Sequence, residues 1–322
     1  MPAPFPLSDH CDGQQFFNPS GHDNRSWHDI LSWKLSGLPK RWPAVAAHPP
    51  RPTAPLIGQR LAATWIGHST FLLQTSAGNL LTDPVYSQRV GPGGLVGPRR
   101  VQAPGVDFTD LPAIDVVLLS HDHYDHCDLA TLRRLWQTYA PLAVTPLGNA
   151  PLLREAGFLP ERIVELDWWQ SHAALPGLEL TLTPARHWSN RVRGRRNARL
   201  WGGFHLKTAS VTAFFAGDTA YDDQFFGAIR SRLGPPDLAL IPIGAYAPRW
   251  FMSAQHCDPT EAVKIHRELG SQLSVGMHWG TFQLTDESVD EPPRELARAL
   301  DAAELPAAAF RVCAPGQCVG IT

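Results

Sequence analysis

Four candidate metal ligands, His121, His123, Asp125 and His126, crowd into the six residues His121-Asp122-His123-Tyr124-Asp125-His126, directly after the apolar run at 115–120. Such a pattern calls for a strand that ends in a loop able to turn several ligands toward one point. His121 and His123 lie two apart, so an extended or turning backbone sends both imidazoles the same way, and Asp125 and His126 reach around the bend. Asp128 is placed to cap a helix outlined by Leu129, Leu132, Leu135 and Trp136. Imidazole and carboxylate together suit zinc, with manganese or iron as substitutes. A lone histidine pair would carry little weight; four candidate ligands in one loop point to a metal.

The rest of the chain sets limits. Its 322 residues permit one large α/β domain. The hydrophobic share of 43% is that of a globular protein, and 30 Pro and 26 Gly imply long loops rather than disorder. A net charge of −2 argues against broad electrostatic capture of nucleic acid, so no nucleic-acid partner is expected. The cysteines (Cys11, Cys127, Cys257, Cys313 and Cys318) are odd in number and form no CxxC pair, which reads as small buried thiols and not as a disulfide framework. The N-terminus has neither a basic segment nor an apolar signal core, and no stretch approaches the ~20 apolar residues that span a bilayer. A cytoplasmic location is expected.

Residues 1–55 read as an extension rich in Pro and aromatics, and 56–322 as the main domain. Within the extension, 27–38 predicts a helix whose face of Trp27, Ile30, Leu31, Leu35 and Leu38 packs on the domain. Trp27, Trp33 and Trp42 interleaved with Arg25, Lys34, Lys40 and Arg41 also suit an interfacial helix at a membrane. Strands are expected at 61–66, 70–74, 79–82, 142–145, 162–166, 178–183, 201–207, 211–216, 237–243 and 274–277. Helices are expected at 149–156, at 259–269 behind a cap at Asp258, and at 292–300. His68 reads as a hydrogen-bonding turn residue. The glycine-rich loop 83–110 is long enough to be functional, but it lacks the Gly-Lys-Ser/Thr ending of a P-loop. Sheet and helices, then sheet and helices again, favour a two-sheet sandwich covered by helices. His187, Asp218, His256 and His278 each read as a polar residue at the end of an apolar strand, where side chains converge.

With those residues in place, the loop HDHYDH resembles the HxHxDH signature of the metallo-β-lactamase superfamily, whose fold is an α/β, αβ/βα sandwich of two mixed sheets with a two-metal site along one edge. The strings Gly67-His-Ser-Thr, Arg186-His187-Trp188, Leu200-Trp-Gly, Phe215-Ala-Gly-Asp218-Thr, IPIGAYAPRWFM at 241–252, Gln255-His256-Cys-Asp-Pro and His278-Trp-Gly-Thr-Phe are similar to the N-acyl-phosphatidylethanolamine-hydrolysing phospholipase D family, over about residues 57–295. The resemblance implies two zinc ions. It makes His121, His123 and His187 ligands of one, Asp125, His126 and His278 ligands of the other, and Asp218 the bridge, with Asp125 serving the reaction as well. Tyr124 and His256 are then implied beside the substrate phosphate, where a metal-activated hydroxide attacks phosphorus. Asp122 is expected to orient a ligand imidazole. Arg191, Arg195 and Arg196, in a connection that leaves the site, either form a solvated loop or guide anionic headgroups of a phospholipid substrate. Peripheral membrane contact is a corollary. A lactonase or other small-molecule hydrolase of the same fold is the alternative, since the same hydroxide could attack a carbonyl.

Overall fold

The first half of the chain builds one sheet, the second half builds another, and the last strand crosses back to edge the first. The computed structural model describes residues 4–21, 27–36, 39–44, 58–192 and 194–322. The expected boundary after residue 55 lies outside the described residues, as do Arg25, Leu38 and Arg193.

The first sheet contains β1 (Leu61–Gly67), β2 (Thr70–Thr75), β3 (Gly78–Thr82), β4 (Val116–Leu118), β5 (Leu142–Pro146) and β6 (Ile163–Leu166). The second contains β7 (Ser171–Leu175), β8 (Leu178–Thr183), β9 (Gly203–Thr208), β10 (Thr212–Phe215), β11 (Leu238–Pro242), β12 (Leu273–Met277) and β13 (Phe310–Arg311). The closing strand β14 (Cys318–Ile321) pairs with β1, giving the orders β14-β1-β2-β3-β4-β5-β6 and β13-β12-β11-β10-β9-β8-β7. Each sheet is antiparallel in one half and parallel in the other: β3 to β6 and β10 to β13 run parallel.

Side-chain alternation explains how a strand serves two layers. Leu61, Ala63 and Trp65 of β1, Phe71 and Leu73 of β2, and Val116 and Leu118 of β4 join the core shared with Phe204, Leu206, Phe214 and Leu240 of the second sheet. Their neighbours Ile66, Leu72 and Val117 face the other way, onto Leu132, Leu135 and Leu153. Those three belong to helices over the first sheet, α2 (Leu129–Tyr139) and α3 (Ala150–Glu155), while α4 (Phe225–Leu233), α6 (Pro259–Leu269) and α7 (Glu291–Ala302) cover the second. The Asp128 carboxylate accepts from the Ala130 N–H as the cap of α2, and Asp258 with Glu261 completes a capping box at α6.

The N-terminal helix α1 spans Trp27–Ser36, and of its expected packing face the side chains of Trp27 and Ile30, like Leu38, lie outside the described residues. Leu31 and Leu35 are exposed, at 47% and 78%. Trp33 attaches the helix, stacking on Phe251 at 4.9 Å and donating its indole N–H to Asp286 at 2.7 Å. Phe251 sits in the short helix α5 (Arg249–Met252). Among the described residues no helix is long and apolar enough to cross a membrane. The five cysteines are free thiols, four of them buried.

Candidate metal centre

Strand ends from both sheets meet at one edge of the sandwich. His68 follows β1, Asp83 follows β3, the 121–126 loop follows β4, His187 follows β8, Asp218 follows β10 and His278 follows β12. His256 does not end a strand as expected; it follows α5, its backbone N–H bonded to Met252 O. Gly217 delivers Asp218 at φ +60, and a Cβ there would stand 2.7 Å from Ser120 Cβ, so only glycine suits the turn.

The Asp218 carboxylate is the hub. Its Oδ2 lies 3.1 Å from His126 Nε2, 3.1 Å from His278 Nε2, 3.7 Å from His187 Nε2, 3.8 Å from His121 Nε2 and 4.0 Å from His256 Nδ1. The Asp125 Oδ2 atom stands 3.5 Å from His278 Nε2 and 3.6 Å from His126 Nε2. On the opposite side, His123 Nδ1 is 2.9 Å from His121 Nε2 and 3.2 Å from His187 Nε2. The seven candidate ligands thus lie together, His121, His123 and His187 on one side of the Asp218 carboxylate and Asp125, His126 and His278 on the other.

The outward nitrogens show which way the inward ones face. His126 Nδ1 is 2.6 Å from Asp83 Oδ2, and His187 Nδ1 is 2.8 Å from the Gln255 carbonyl; neither partner can donate, so both Nδ1 atoms carry the proton. The Ser120 hydroxyl donates to Asp83 Oδ2 and therefore receives the His121 Nδ1–H. In neutral rings this leaves the Nε2 lone pairs of His121, His126 and His187 pointing inward. Burial holds His187 down to about 3 and His123 to about 4, as metal-ready neutral imidazoles require. Burial also disfavours charge on His278, but Asp218 and Asp125 outweigh it and raise that ring to about 9. The carboxylates are drawing positive charge into the centre.

Several buried polar atoms at this point have no hydrogen-bond partner: His126 Nε2, His278 Nε2, Asp218 Oδ1 and His256 Nδ1. Unpartnered buried donors and acceptors of this kind are costly unless something else satisfies them. A cation does so, and the spacing suits one: His121, His123, His187 and Asp218 offer atoms within 4.8 Å of one another, as do His68, Asp125, His126 and His278.

Two residues of this site escaped sequence reasoning. His68 lies 3.0 Å from Asp125 Oδ2 through Nε2, and its ring stands 4.0 Å from that of His278. It is a hydrogen-bonding turn residue, and the turn is at the centre. Asp83, buried between Ser120 and His126, performs the orienting role expected of Asp122. The Asp122 carboxylate instead accepts from Arg199 Nη1 at 3.0 Å and from the Asn190 N–H at 2.9 Å, anchoring the connection after His187. Arg191 is equally tied in: buried, it donates to the carbonyls of Asp122 and Cys127 and lies 4.0 Å over the Tyr124 ring. The Tyr124 hydroxyl accepts from the Val192 N–H at 3.2 Å. Arg195 is exposed and reaches Gln14, and Arg196 lies 4.5 Å over the Trp188 ring.

A sandwich of two mixed sheets with such a cluster at its edge defines a metal-dependent hydrolase of the metallo-β-lactamase fold. The Beta-lactamase superfamily domain profile matches residues 78–279, and the chain belongs to that family. It is 37% identical over 252 residues to the N-acyl-phosphatidylethanolamine-hydrolyzing phospholipase D 1 of Caenorhabditis elegans, a match covering 76% of this chain and 71% of the relative. An uncharacterized protein of Mycobacterium tuberculosis is 41% identical over 295 residues, covering 87% of this chain and 77% of its own. Among solved structures, a metallo hydrolase from Ignicoccus hospitalis shares the fold at a TM-score of 0.61 and 22% identity, over 81% of this chain and 98% of that one.

Proposed function

We propose that the chain hydrolyses the phosphodiester of an N-acyl-phosphatidylethanolamine in the manner of a phospholipase D, releasing phosphatidic acid and an N-acylethanolamine. The observation that carries this reading is the 37% identity with the Caenorhabditis elegans relative. His121, His123 and His187 would hold one zinc, Asp125, His126 and His278 the other, and Asp218 would serve both, with manganese or iron able to replace zinc. Bound there, the ions supply Lewis-acid charge that lowers the pKa of water and offsets charge on a phosphate.

The chain's own side chains supply the rest. His256 presents an unpartnered Nδ1 at the edge of the cluster, placed to hold or deliver a proton at the departing oxygen. Tyr124 accepts through its oxygen and so keeps its O–H to donate to a phosphate oxygen. Leu95, Val96 and Val192 are exposed at 81%, 54% and 75% on segments bordering one cavity beside Tyr124, and they suit acyl chains or the surface of a bilayer. Arg195, exposed on the same connection as Val192, would meet anionic headgroups there.

Hydrolysis in oxygen-18 water tests the bond that breaks. Attack at phosphorus places the label in phosphatidic acid and leaves the N-acylethanolamine unlabelled. Turnover of acyl lactones with none of the phospholipid would replace this reading with the lactonase alternative.

A further inference from the structure

Residues 15–20 of the N-terminal segment lie against the loop that carries His187. Phe16 is seated in the core, meets Phe5 at 4.7 Å and donates its backbone N–H to the Asn197 carbonyl at 2.9 Å. The Gln15 amide donates to the Arg196 carbonyl at 3.0 Å. Asn18 goes further in: its Nδ2 donates at 2.9 Å to the backbone carbonyl of His187 itself. His187 is thereby held from two directions, because its ring Nδ1–H donates to the Gln255 carbonyl.

Ser20 extends the contact to the neighbouring strand end. Its hydroxyl donates to the buried Asp222 carboxylate and accepts from Arg186 Nη1 at 2.8 Å, and Arg186 also reaches Asp222 at 3.3 Å. These are charge-assisted bonds around a carboxylate shielded from water. Arg186 directly precedes His187. Its backbone N–H donates to Thr219 Oγ1 at 3.0 Å and its carbonyl accepts the Ala220 N–H at 2.8 Å, and Thr219 directly follows Asp218. The Ser20 bridge therefore clamps the pairing that brings His187 Nε2 to 3.7 Å from Asp218 Oδ2. The bonds that orient the other ligand set come from elsewhere, from His68 on Asp125 and from Asp83 on His126.

We infer that Asn18 and Ser20 are positioning residues of the metal centre: the docked N-terminal segment fixes the His187 carbonyl and the Arg186–Ala220 pairing, and so presents His187 to the first ion. This role rests on the ligand sets proposed above but not on the substrate. Terminal segments open more readily than the core they lie on, so the first ion is held at full strength only while residues 15–20 stay docked. Coupling of this kind is reciprocal, and binding of the ion tightens the docking by the same factor.

The test is chelator competition on the whole zinc-loaded chain, with hydrogen exchange followed at residues 15–20. Asn18→Asp keeps the shape of the side chain but sets a carboxylate in place of the donor, and Ser20→Ala removes the bridge. Each is expected to weaken one ion by at least about 10-fold and to leave the other within about twofold of the parent protein. The proton resonance of His187 Nδ1–H should move in Asn18→Asp while that of His126 Nδ1–H stays, and zinc should raise the protection of residues 15–20 more in the parent than in either variant. Gln14→Ala, at an exposed residue that contacts Arg195, should hold both ions as the parent does. Ser20→Ala decides alone where Asn18→Asp does not fold. A parent protein that holds a single ion would sink the two-metal reading, and the clamp would then stand only if the variants weaken that ion. Parent-level affinity in the folded variants, equal weakening of both ions, or protection of residues 15–20 indifferent to zinc would overturn the positioning role.

Discussion

His68 Nε2 lies 3.0 Å from Asp125 Oδ2, while the backbone carbonyl of the same histidine accepts the His278 N–H at 3.1 Å. One turn residue thus holds the side chain of Asp125 and the backbone of His278, two of the three residues expected around the second metal. His68 sits at φ +54 and His278 at φ +61, conformations that cost a non-glycine residue and persist where surrounding bonds fix them. Loss of a partner that orients a ligand typically costs about 10- to 100-fold in metal affinity. His68→Leu is therefore expected to bind its second metal ion at least about 10-fold more weakly, and His68→Gln, which retains an N–H donor, to bind near the parent level. Competition with a chromophoric chelator measures both. Equal loss in the two variants would mean that His68 acts otherwise than by donating to Asp125.

Gly244 lies against the backbone of His278, and a Cβ at this position would stand 2.2 Å from the His278 carbonyl oxygen. No side chain can rotate out of that contact. Gly244→Ala should cost about 1–3 kcal/mol of stability as an overpacking change, and it should displace His278 enough to release metal. Thermal melts of the metal-loaded and metal-free variant separate the two effects; a variant with unchanged melting and full metal content would show that the backbone yields more easily than this packing implies.

The N-terminal segment is fastened by His10, whose Nε2 is 2.8 Å from Asp167 and whose Nδ1 is 2.6 Å from Asp9 and 3.2 Å from Ser8 Oγ. Its ring stacks on Trp168 at 4.2 Å and faces Phe16. Burial opposes charge on His10, but Asp167 and Asp9 outweigh it and raise the ring above its usual value near 6.5. Asp167 is the stronger anchor, because the Asp9 side chain is 83% exposed and screened by water. A group whose pKa rises on folding stabilises fully below its unfolded value and loses that contribution as pH climbs through the folded one. Asp167 is shifted down, and its share is lost only in acid. Protection of the Cys11 and Phe16 region against hydrogen exchange should accordingly fall from neutral into alkaline pH, beyond the intrinsic rate change. His10→Gln should flatten that dependence; an identical pH profile in the variant would remove His10 as the clasp.

Much of this site could be read from residue order. The 121–126 loop and the rule that polar residues ending apolar strands converge located His187, Asp218 and His278. Asp83 obeys the same rule, following Leu80, Leu81 and Thr82, yet its partner His126 is 43 positions away and only sheet pairing joins them. Asp122 looks like a member of the ligand motif, but strand-like alternation turns it away from His121 and His123 and toward Arg199. The missed strands are those whose pairing is made elsewhere. β7, Ser-His-Ala-Ala-Leu, has no β-branched residue and exists by its antiparallel register with β8; β14 pairs with β1 from the far end of the chain. On α1, Leu31 and Leu35 of the expected face are exposed and Trp33, outside that face, stacks on Phe251.

The central claim is a centre of two metals sharing the Asp218 carboxylate, and counting metal tests it most directly. Elemental analysis of the protein, reloaded with zinc and freed of excess, is expected to give about two ions per chain, as a two-metal site requires. Asp218→Asn, which replaces one charged oxygen at the hub by an amide, is expected to fall to about one or fewer. A single tightly held ion that reloading does not increase, or two ions retained in the Asp218→Asn variant, would contradict it.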